Sequence, residues 1–344
     1  MWAALQTHAK KKSNGPLKAT KHSSFLLNVA GEIMQFNVNK STIIDAPLAN
    51  VRKLIEHFNH WSRWSPWVVI EPTCTVTVTG TANEPGHSMS WDGEIIGSGN
   101  ITLESSEAHQ LNYQLEFLKP WKSKANTSFL LEEISGTDGQ TKVTWTMNSS
   151  LPFFLFFMVK TMKNAIGMDY QRGLRMLKEI SEKERIPCDT INNGIVEYKG
   201  FSYVGIQRTA AMDDMPAMME KDFEQLVNDI VVKAQKGAKH WVCIYPKFDM
   251  KNQQGTYIVA VSNEDLADLE LGSSYIKGNI DDSRALEIKH NGAYDFLGNA
   301  WSMGMMTMQA KKMKGKGFPF EQYWNSPLEA APHELKTSIY FPVK

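Results

Sequence analysis

Two kinds of hydrophobic spacing alternate along the chain and divide it into a strand-rich first half and a mixed second half. A β-branched stretch at residues 38–45 precedes a short segment, 51–58, in which apolar side chains recur at helical spacing. From residue 74 to residue 147 apolar and polar side chains alternate, and Gly, Asn, Asp and Pro separate the runs. Such alternation indicates strands with one buried face, so we expect roughly six antiparallel strands in a curved sheet.

The helical period returns at residues 154–183 and predicts a long amphipathic helix that closes the first half. A sheet wrapped around such a helix leaves a cavity between them. Periodicity is lost at 184–193, where Pro187 lies, and this segment marks a domain boundary. The predicted organisation is a flexible tail (1–33), a first domain (34–185), a linker (186–193) and a second domain (194–344).

A weak internal repeat of a β-α-β-β unit organises the second half. The first copy has a strand at 196–209, a helix at 215–236, and strands at 241–245 and 256–261; the second has a strand at 284–290, a helix at 295–314, and strands at 318–324 and 336–342. The acidic run at 263–270 is expected to be a solvated loop. Two such units form one sheet backed by two helices, with a cleft at their junction. We therefore predict an α+β protein whose ligand site is that cleft.

Charge and composition exclude several functional classes. The 344 residues include 37 basic and 37 acidic side chains, a balance that argues against nucleic acid as a partner. The three cysteines are far apart and indicate reduced thiols inside a cell. The longest apolar stretch, LPFFLFFMV at 151–159, is too short to span a membrane, and the N-terminus has no secretory signal. We therefore expect a cytoplasmic protein without a membrane span.

Signatures of metal and cofactor sites are weak in this sequence. His57 and His60 have no third ligand nearby, and the glycines do not form a phosphate-binding loop. No metal and no cofactor are therefore expected.

The strongest candidate for chemistry is a carboxylate in the second copy of the repeat. A period of two places Glu321 and Tyr323 on one face of their strand, and the matching strand of the first copy offers Cys243 and Tyr245. A carboxylate with aromatic neighbours can bind a cation or, if desolvation raises its pKa, act as a general acid or base. The alternative interpretation is a Glu321 that faces solvent or pairs with Lys247 or Lys316.

Residues near the second predicted helix supply further candidates. Tyr294 precedes this helix, and Trp301 and Met305 share one of its faces, so all three residues could line the same cleft. Methionines at such spacing are more often core residues, although they also suit a site for varied ligands. His290 is expected to be a strand-end hydrogen-bonding residue rather than a ligand contact.

Aromatic residues are also numerous in the first half, where they can either pack a core or line a cavity. The candidates for the cavity are Trp64, Trp67, Trp91, Trp145, Tyr113 and Phe117.

The first half resembles the SRPBCC superfamily of polyketide cyclase and START-like helix-grip domains. The segments that carry this resemblance are FNHWSRWSPW, SWDGEIIGSGNITL, LEFLKPWKS, TKVTWTM and IGMDYQRGLRMLKE. The resemblance implies a sheet gripping a long helix and a cavity for hydrophobic ligands, but no particular reaction.

The second half is similar to the GyrI-like small-molecule-binding domain, also known as the AraC effector-binding domain. The segments are IYPKFD, IKHNGAYDFLGNAWSMG, FPFEQYWNSP and ELKTSIYFPV. The resemblance implies a cleft for amphipathic or cationic compounds centred on the acidic residue of an E-x-Y motif, which Glu321 and Tyr323 match. Regulatory members carry a DNA-binding domain that this chain lacks.

Taken together, these features predict a protein that binds small hydrophobic or cationic amphipathic molecules around Glu321 for sensing, sequestration or detoxification, with a second apolar cavity in the first domain. Two alternatives are open. Some GyrI-like proteins resemble cyclopropanoid hydrolases, which would make Glu321 a general acid or base. The family also includes topoisomerase modulators, which implies a protein partner. The sequence does not indicate an oligomeric state.

Overall fold

The computed structural model describes residues 33–137, 139–233, 238–262 and 272–344. The chain divides into two compact units between Ile186 and Pro187. The predicted tail up to residue 32, the end of the predicted helix at 234–236 and the acidic run at 263–270 lie outside the described residues. Within the described ranges, no helix has both the length and the apolar content needed to cross a membrane.

The first unit is a seven-stranded antiparallel sheet with a long C-terminal helix, in the strand order β1-β7-β6-β5-β4-β3-β2. Its strands are β1 (Ile33–Ile44), β2 (Thr75–Thr79), β3 (Ser88–Asp92), β4 (Ser98–Ser106), β5 (Gln110–Lys119), β6 (Ser123–Glu133) and β7 (Thr141–Pro152). Its helices are α1 (Leu48–Glu56) and α2 (Val159–Lys183), with 3-10 turns at Phe58–Arg63, Val68–Ile70 and Phe153–Met158.

Alternating burial along the strands places the core of this unit between the sheet and α2. In β5, Leu111 and Tyr113 are fully buried while Asn112 and Gln114 are half-exposed. Helix α2 presents a buried face at helical spacing, which includes Ile166 and Leu177. The predicted helix-grip architecture is therefore confirmed.

The second unit is an eight-stranded antiparallel sheet in the order β12-β9-β11-β10-β14-β15-β13-β8. Its strands are β8 (Cys188–Tyr198), β9 (Phe201–Ala211), β10 (His240–Asp249), β11 (Gln254–Ser262), β12 (Ile276–Ile280), β13 (Ser283–Gly292), β14 (Phe320–Tyr323) and β15 (Lys336–Val343). Helix α3 (Met215–Leu226) continues as a π-helix at Val227–Lys233, and a 3-10 turn at Tyr294–Phe296 leads into α4 (Leu297–Ala310); a further 3-10 turn spans Pro332–Glu334.

The predicted duplication is visible in the strand order. Strands β9, β11 and β10 of the first copy are mirrored by β13, β15 and β14 of the second, so β10 and β14 meet at the centre of the sheet. At this junction Cys243 lies directly opposite Glu321. The two copies are thus related by a pseudo-twofold axis, and the junction holds a thiol on one side and a carboxylate on the other.

The first two strands of the second unit differ from the sequence prediction. Residues 188–193, expected in the linker, form the first part of β8, which pairs with β13 at the edge of the sheet. The single strand expected at 196–209 is two strands, β8 and β9, which end and begin on either side of Lys199 and Gly200. In the first part of this edge strand, residues 188–194, only Cys188 and Ile191 are apolar, so the alternation that reveals a strand in the sequence is missing there.

One hydroxyl group organises the polar atoms of the first core. The Thr127 side chain accepts a hydrogen bond from the indole N–H of Trp145 (2.9 Å), and it donates one to the carbonyl oxygen of Thr146 (2.8 Å). The Tyr170 hydroxyl, 3.1 Å away, then donates to the same oxygen. Because Trp145 and Tyr170 are each 1% exposed, water cannot replace this acceptor.

Replacing Thr127 by valine should therefore destabilise the first domain by about 2–4 kcal/mol, since two buried donors lose their acceptor while the side-chain shape is kept. The measurement is the free energy of unfolding from a urea titration followed by tryptophan fluorescence. Thr144→Val, at a half-exposed position of β7, is the matched control and should change the free energy by less than about 0.5 kcal/mol. Equal effects of the two substitutions would contradict the assigned role of Thr127.

Candidate functional site

Glu321 lies in the middle of the eight-stranded sheet, on the face covered by the helices. Strand β14 is flanked by β10 and β15, and its alternation sends Glu321 and Phe320 to opposite faces. Phe320 packs on the far face with Val242, Ile244 and Tyr340. Glu321 is only 2% exposed, so its carboxylate is separated from bulk water.

Both carboxylate oxygens of Glu321 accept hydrogen bonds from aromatic side chains. The indole N–H of Trp301, in α4, donates to Oε1, and the hydroxyl of Tyr323 donates to Oε2. Among the described residues no basic side chain forms an ion pair with Glu321, and Lys247 and Lys316 are exposed. Glu321 therefore neither faces solvent nor pairs with a lysine.

Burial controls the protonation of the groups around this carboxylate. Desolvation raises the pKa of Glu321, against the hydrogen bonds from Tyr323, Trp301 and Tyr245, which lower it. Burial also raises the pKa of the Cys243 thiol, and the nearby Glu321 adds to this rise. The pKa values of Tyr245 and Tyr323 are raised, again chiefly by burial. The site thus combines one titratable carboxyl group with neutral hydrogen-bond donors.

Aromatic rings enclose the carboxyl group on several sides. The rings of Tyr245 and Trp301 meet edge to face at a centroid distance of 4.9 Å, and Tyr294 meets Tyr323 at 5.6 Å. Tyr294 is 37% exposed and lies at the outer rim of the site. Burial raises the pKa of Tyr294 to about 12, so its hydroxyl stays protonated at neutral pH. The structure therefore brings Glu321, Tyr323, Trp301, Tyr245, Cys243 and Tyr294 into one cluster.

Several aromatic residues that contact the cluster, among them Phe248 and Phe223, were not identified from the sequence. Phe248 stacks on Tyr245 at 5.3 Å and contacts Trp301 at 5.5 Å. Simple alternation puts residues 245 and 248 on opposite faces, but the strand pairing shifts register between Ile244 and Lys247, and such a bulge turns the following side chain. Phe223, on α3, contacts Tyr323 at 5.4 Å. Its helical spacing from Leu226 could have indicated it.

Two other residues considered in the sequence, Met305 and His290, lie outside the cluster around Glu321. Met305 is 45% exposed on α4, one turn after Trp301, and does not belong to the cluster that surrounds Glu321. The neighbouring Met303 is 3% exposed and is a core residue. The ring of His290 is buried, and its Nε2 lies 3.0 Å from the carbonyl oxygen of Ala293, which fits a strand-end hydrogen bond.

The six aromatic candidates of the first domain fall into two groups. Trp64, Trp145 and Tyr113 are at most 1% exposed and pack with other rings, such as Tyr170 stacked on Trp145 at 3.9 Å. Trp67, Trp91 and Phe117 are partly exposed. Trp91 contacts Phe117 at 6.2 Å across Gly99, where a Cβ atom would lie 2.5 Å from the Trp91 ring. The partly exposed group remains the candidate lining of a cavity.

A shallow surface depression of about 460 Å³ lies at the far end of the second sheet from Glu321, between β8 and β13. Its lining includes Glu197 and Asp282 together with Lys199 and Arg284, so its charges balance. Within the described residues, no group of three His, Cys, Asp or Glu side chains is arranged to hold a metal ion.

Comparison with protein families separates the two halves of the chain. Residues 35–182 match the family of polyketide cyclases, dehydrases and lipid transport proteins. Residues 194–343 match the family of integron-associated effector binding proteins. No curated protein matches the chain.

Solved structures with a similar fold have low sequence identity to this chain. An integron cassette protein of Vibrio cholerae, VCH_CASS2, is 15% identical, with 45% of this chain and 99% of that chain covered and a TM-score of 0.33. EcmrR in its DNA complex is 16% identical (56% and 68% covered, TM-score 0.37), and SAV2435 bound to tetraphenylphosphonium is 17% identical (44% and 92% covered, TM-score 0.35). Likeness at this level carries no information on activity.

Proposed function

We propose that this protein, whose first domain belongs to the polyketide cyclase family and whose second domain belongs to the integron-associated effector-binding family, binds lipophilic cations in the second domain. The Glu321 carboxylate is the counter-charge, and the surrounding rings hold the apolar part of the ligand. Sensing, sequestration and detoxification all begin with this binding step.

The observation that carries the proposal is a buried carboxyl group with only neutral partners. Glu321 is 2% exposed and accepts hydrogen bonds from Trp301 and Tyr323, neither of which brings a positive charge. A buried carboxylate without a counter-ion is unfavourable, because hydrogen bonds compensate only part of its lost hydration. A cation entering the site supplies the missing charge, and the low local dielectric strengthens the attraction.

The aromatic surroundings select the chemical class of the cation. Tyr245, Trp301 and Tyr323 present ring faces and edges around the carboxyl group, and ring faces attract cations through their quadrupole. A strongly hydrated ion such as Na⁺ would have to lose its water in an apolar site. A cation with a delocalised or shielded charge and an apolar surface loses little hydration there and gains contact with the rings.

Entry of such a ligand requires the rings to move. In the free protein the hydrogen bonds from Trp301 and Tyr323 stabilise the carboxylate and close the site over it. Tyr294 and Phe248 are 37% and 39% exposed, so these rim residues are the ones that can swing into solvent. We infer that the bound cation takes the place of one or both donors, which makes the site adaptable to ligands of different size.

For the first domain, the corresponding proposal is an apolar ligand site lined by Trp67, Trp91 and Phe117. All three rings are partly exposed. Trp91 in β3 and Phe117 in β5 lie on the same sheet face as the buried Met89 and Tyr113, whereas Trp67 lies in the loop before β2 and meets Trp145 at 5.9 Å. They present no charged group of their own, so a ligand of this domain would be neutral and hydrophobic.

Glu321→Gln should weaken the binding of tetraphenylphosphonium, a lipophilic cation, by about thirtyfold or more. A charge pair about 4 Å apart in a partly desolvated site contributes roughly 2–4 kcal/mol, and the amide keeps the size of the side chain without its charge. The measurement is calorimetric titration of wild type and variant.

The matched control for this experiment is Glu287→Gln. Glu287 is also buried and accepts hydrogen bonds from Ser338 (2.8 Å) and Tyr340 (3.1 Å), but it shares the opposite face of the sheet with Phe320. Its replacement should leave tetraphenylphosphonium affinity unchanged. Tetraphenylborate, an anion of the same shape, should bind the wild type weakly. It should bind Glu321→Gln at least as tightly as it binds the wild type. Equal cation affinity in wild type and Glu321→Gln would refute the proposal.

The affinity for the cation should also depend on pH. Burial raises the pKa of Glu321 above its ordinary value of 4.5, so the carboxylate takes up a proton at a higher pH than a surface glutamate does. As the pH falls through this raised pKa, tetraphenylphosphonium affinity should fall by about tenfold per pH unit, because the proton and the cation compete for one charge. Glu321→Gln should show no such slope. An affinity of wild type that stays constant down to pH 4.5 would contradict this assignment.

The raised pKa of Glu321 favours a second candidate function, the hydrolysis of a strained carbocyclic ring. The carboxylic acid would donate its proton to one ring carbon as the C–C bond breaks, water would add to the other carbon, and the carboxylate would take back a proton from that water. The test is the formation of the ring-opened alcohol from a cyclopropanoid compound, which should occur with wild type and be lost in Glu321→Gln. If neither protein gives product, the hydrolase candidate fails while the binding proposal stands.

A further inference from the structure

Four phenylalanine rings project from the 3-10 turn that joins β7 to α2 in the first domain. Phe153, Phe154, Phe156 and Phe157 are 37%, 60%, 56% and 51% exposed, and we call them the phenylalanine ridge. They belong to the apolar stretch LPFFLFFMV, and the packing of the core buries other residues of this stretch but not these four rings. Large apolar side chains are usually buried, so four neighbouring exposed rings require an explanation.

The ridge is held firmly at both ends. Leu151 and Met158, which bracket it, are 7% and 9% exposed and anchor the turn in the core. Three of the rings are in contact, with centroid distances of 5.9 Å between Phe153 and Phe156 and 6.0 Å between Phe156 and Phe157. The backbone N–H of Val159 donates to the carbonyl oxygen of Phe156. This bond satisfies two polar groups of the turn internally and so lowers the cost of placing it in an apolar environment.

The exposed area of the ridge is comparable to that of the largest apolar patch on a typical soluble protein, which is often a functional surface. A phenylalanine side chain has an accessible area on the order of 200 Å², so four half-exposed rings present roughly 400 Å² of apolar surface. Contiguous patches of this size on soluble proteins mark sites of interaction with another apolar surface.

Charges next to the ridge indicate the nature of that surface. Lys160 and Lys163, in the first turns of α2, are both exposed. The sequence from Thr141 to Met168 contains three lysines and no acidic residue. Apolar rings next to two exposed lysines complement a surface whose interior is apolar and whose outer layer is negative.

We propose that the phenylalanine ridge docks the first domain on the surface of an anionic lipid bilayer. The rings enter the boundary between head groups and acyl chains, and Lys160 and Lys163 contact the anionic head groups. The turn is far too short to span the bilayer, so the protein lies on the membrane and leaves it again when the charge attraction is screened. This inference is independent of Glu321 and of the cation site.

The test is flotation of the full chain with two kinds of vesicle, phosphatidylcholine alone and phosphatidylcholine mixed equally with phosphatidylglycerol. Wild type should float with the anionic vesicles, float much less with the neutral ones, and dissociate at high salt. Phe154→Ser and Phe157→Ser should each lower the partition coefficient by about tenfold. Lys160→Glu combined with Lys163→Glu should lower binding to the anionic vesicles only.

Matched controls come from the second domain. Phe318→Ser removes a ring that is 52% exposed, and Lys316→Glu combined with Lys336→Glu reverses two exposed lysines; both should bind as wild type does. Failure of wild type to float would overturn the proposal, as would a Phe154→Ser, Phe157→Ser double variant that floats as well as wild type. A second copy of the chain is the competing occupant. A wild-type dimer in analytical ultracentrifugation that the double variant converts to monomer, without vesicle binding by either, would also overturn it.

Discussion

The burial of a carboxyl group at the centre of a sheet constrains everything around Glu321. A carboxylate removed from water must be stabilised by hydrogen bonds or by an opposite charge, and otherwise it takes up a proton. In this protein Trp301 and Tyr323 provide the hydrogen bonds, which fixes the rotamers of both rings. These rings in turn set the positions of Tyr245, Phe248 and Tyr294, so the aromatic cluster is organised from the carboxyl group outward.

The duplicated architecture places a single carboxyl group at the junction of the two copies. A pseudo-twofold axis between β10 and β14 brings equivalent positions of the two copies face to face. Had both positions been acidic, two carboxyl groups would repel each other in a low dielectric. Cys243 instead places a small neutral thiol opposite Glu321, and burial keeps this thiol protonated by raising its pKa. A nearly symmetric backbone thus carries an asymmetric site with a single negative charge.

The two domains differ in what their buried aromatic side chains pack against. In the first domain Trp64, Trp145 and Tyr170 pack ring against ring, and Thr127 satisfies the polar atoms of two of them. The second domain arranges its rings around a buried carboxyl group, Glu321, whose burial costs stability. The phenylalanine ridge is a third case, in which rings remain outside because the turn that carries them is anchored by Leu151 and Met158.

Much of this arrangement follows from the sequence by itself. Alternation and helical spacing determined the sheets, the long helix and the duplicated unit, because burial of one face imposes a period on the chain. Register at the repeat junction placed Glu321 opposite Cys243 for the same reason. Local spacing did not reveal the first part of β8, whose exposed edge position imposes no apolar pattern, or Phe248, which a register shift in β10 turns toward Tyr245. Whether Glu321 meets water, a lysine or aromatic donors was decided only by the tertiary structure. Trp301 reaches this carboxyl group from a helix 20 residues away in the chain, and a period along one strand contains no information about what packs above it.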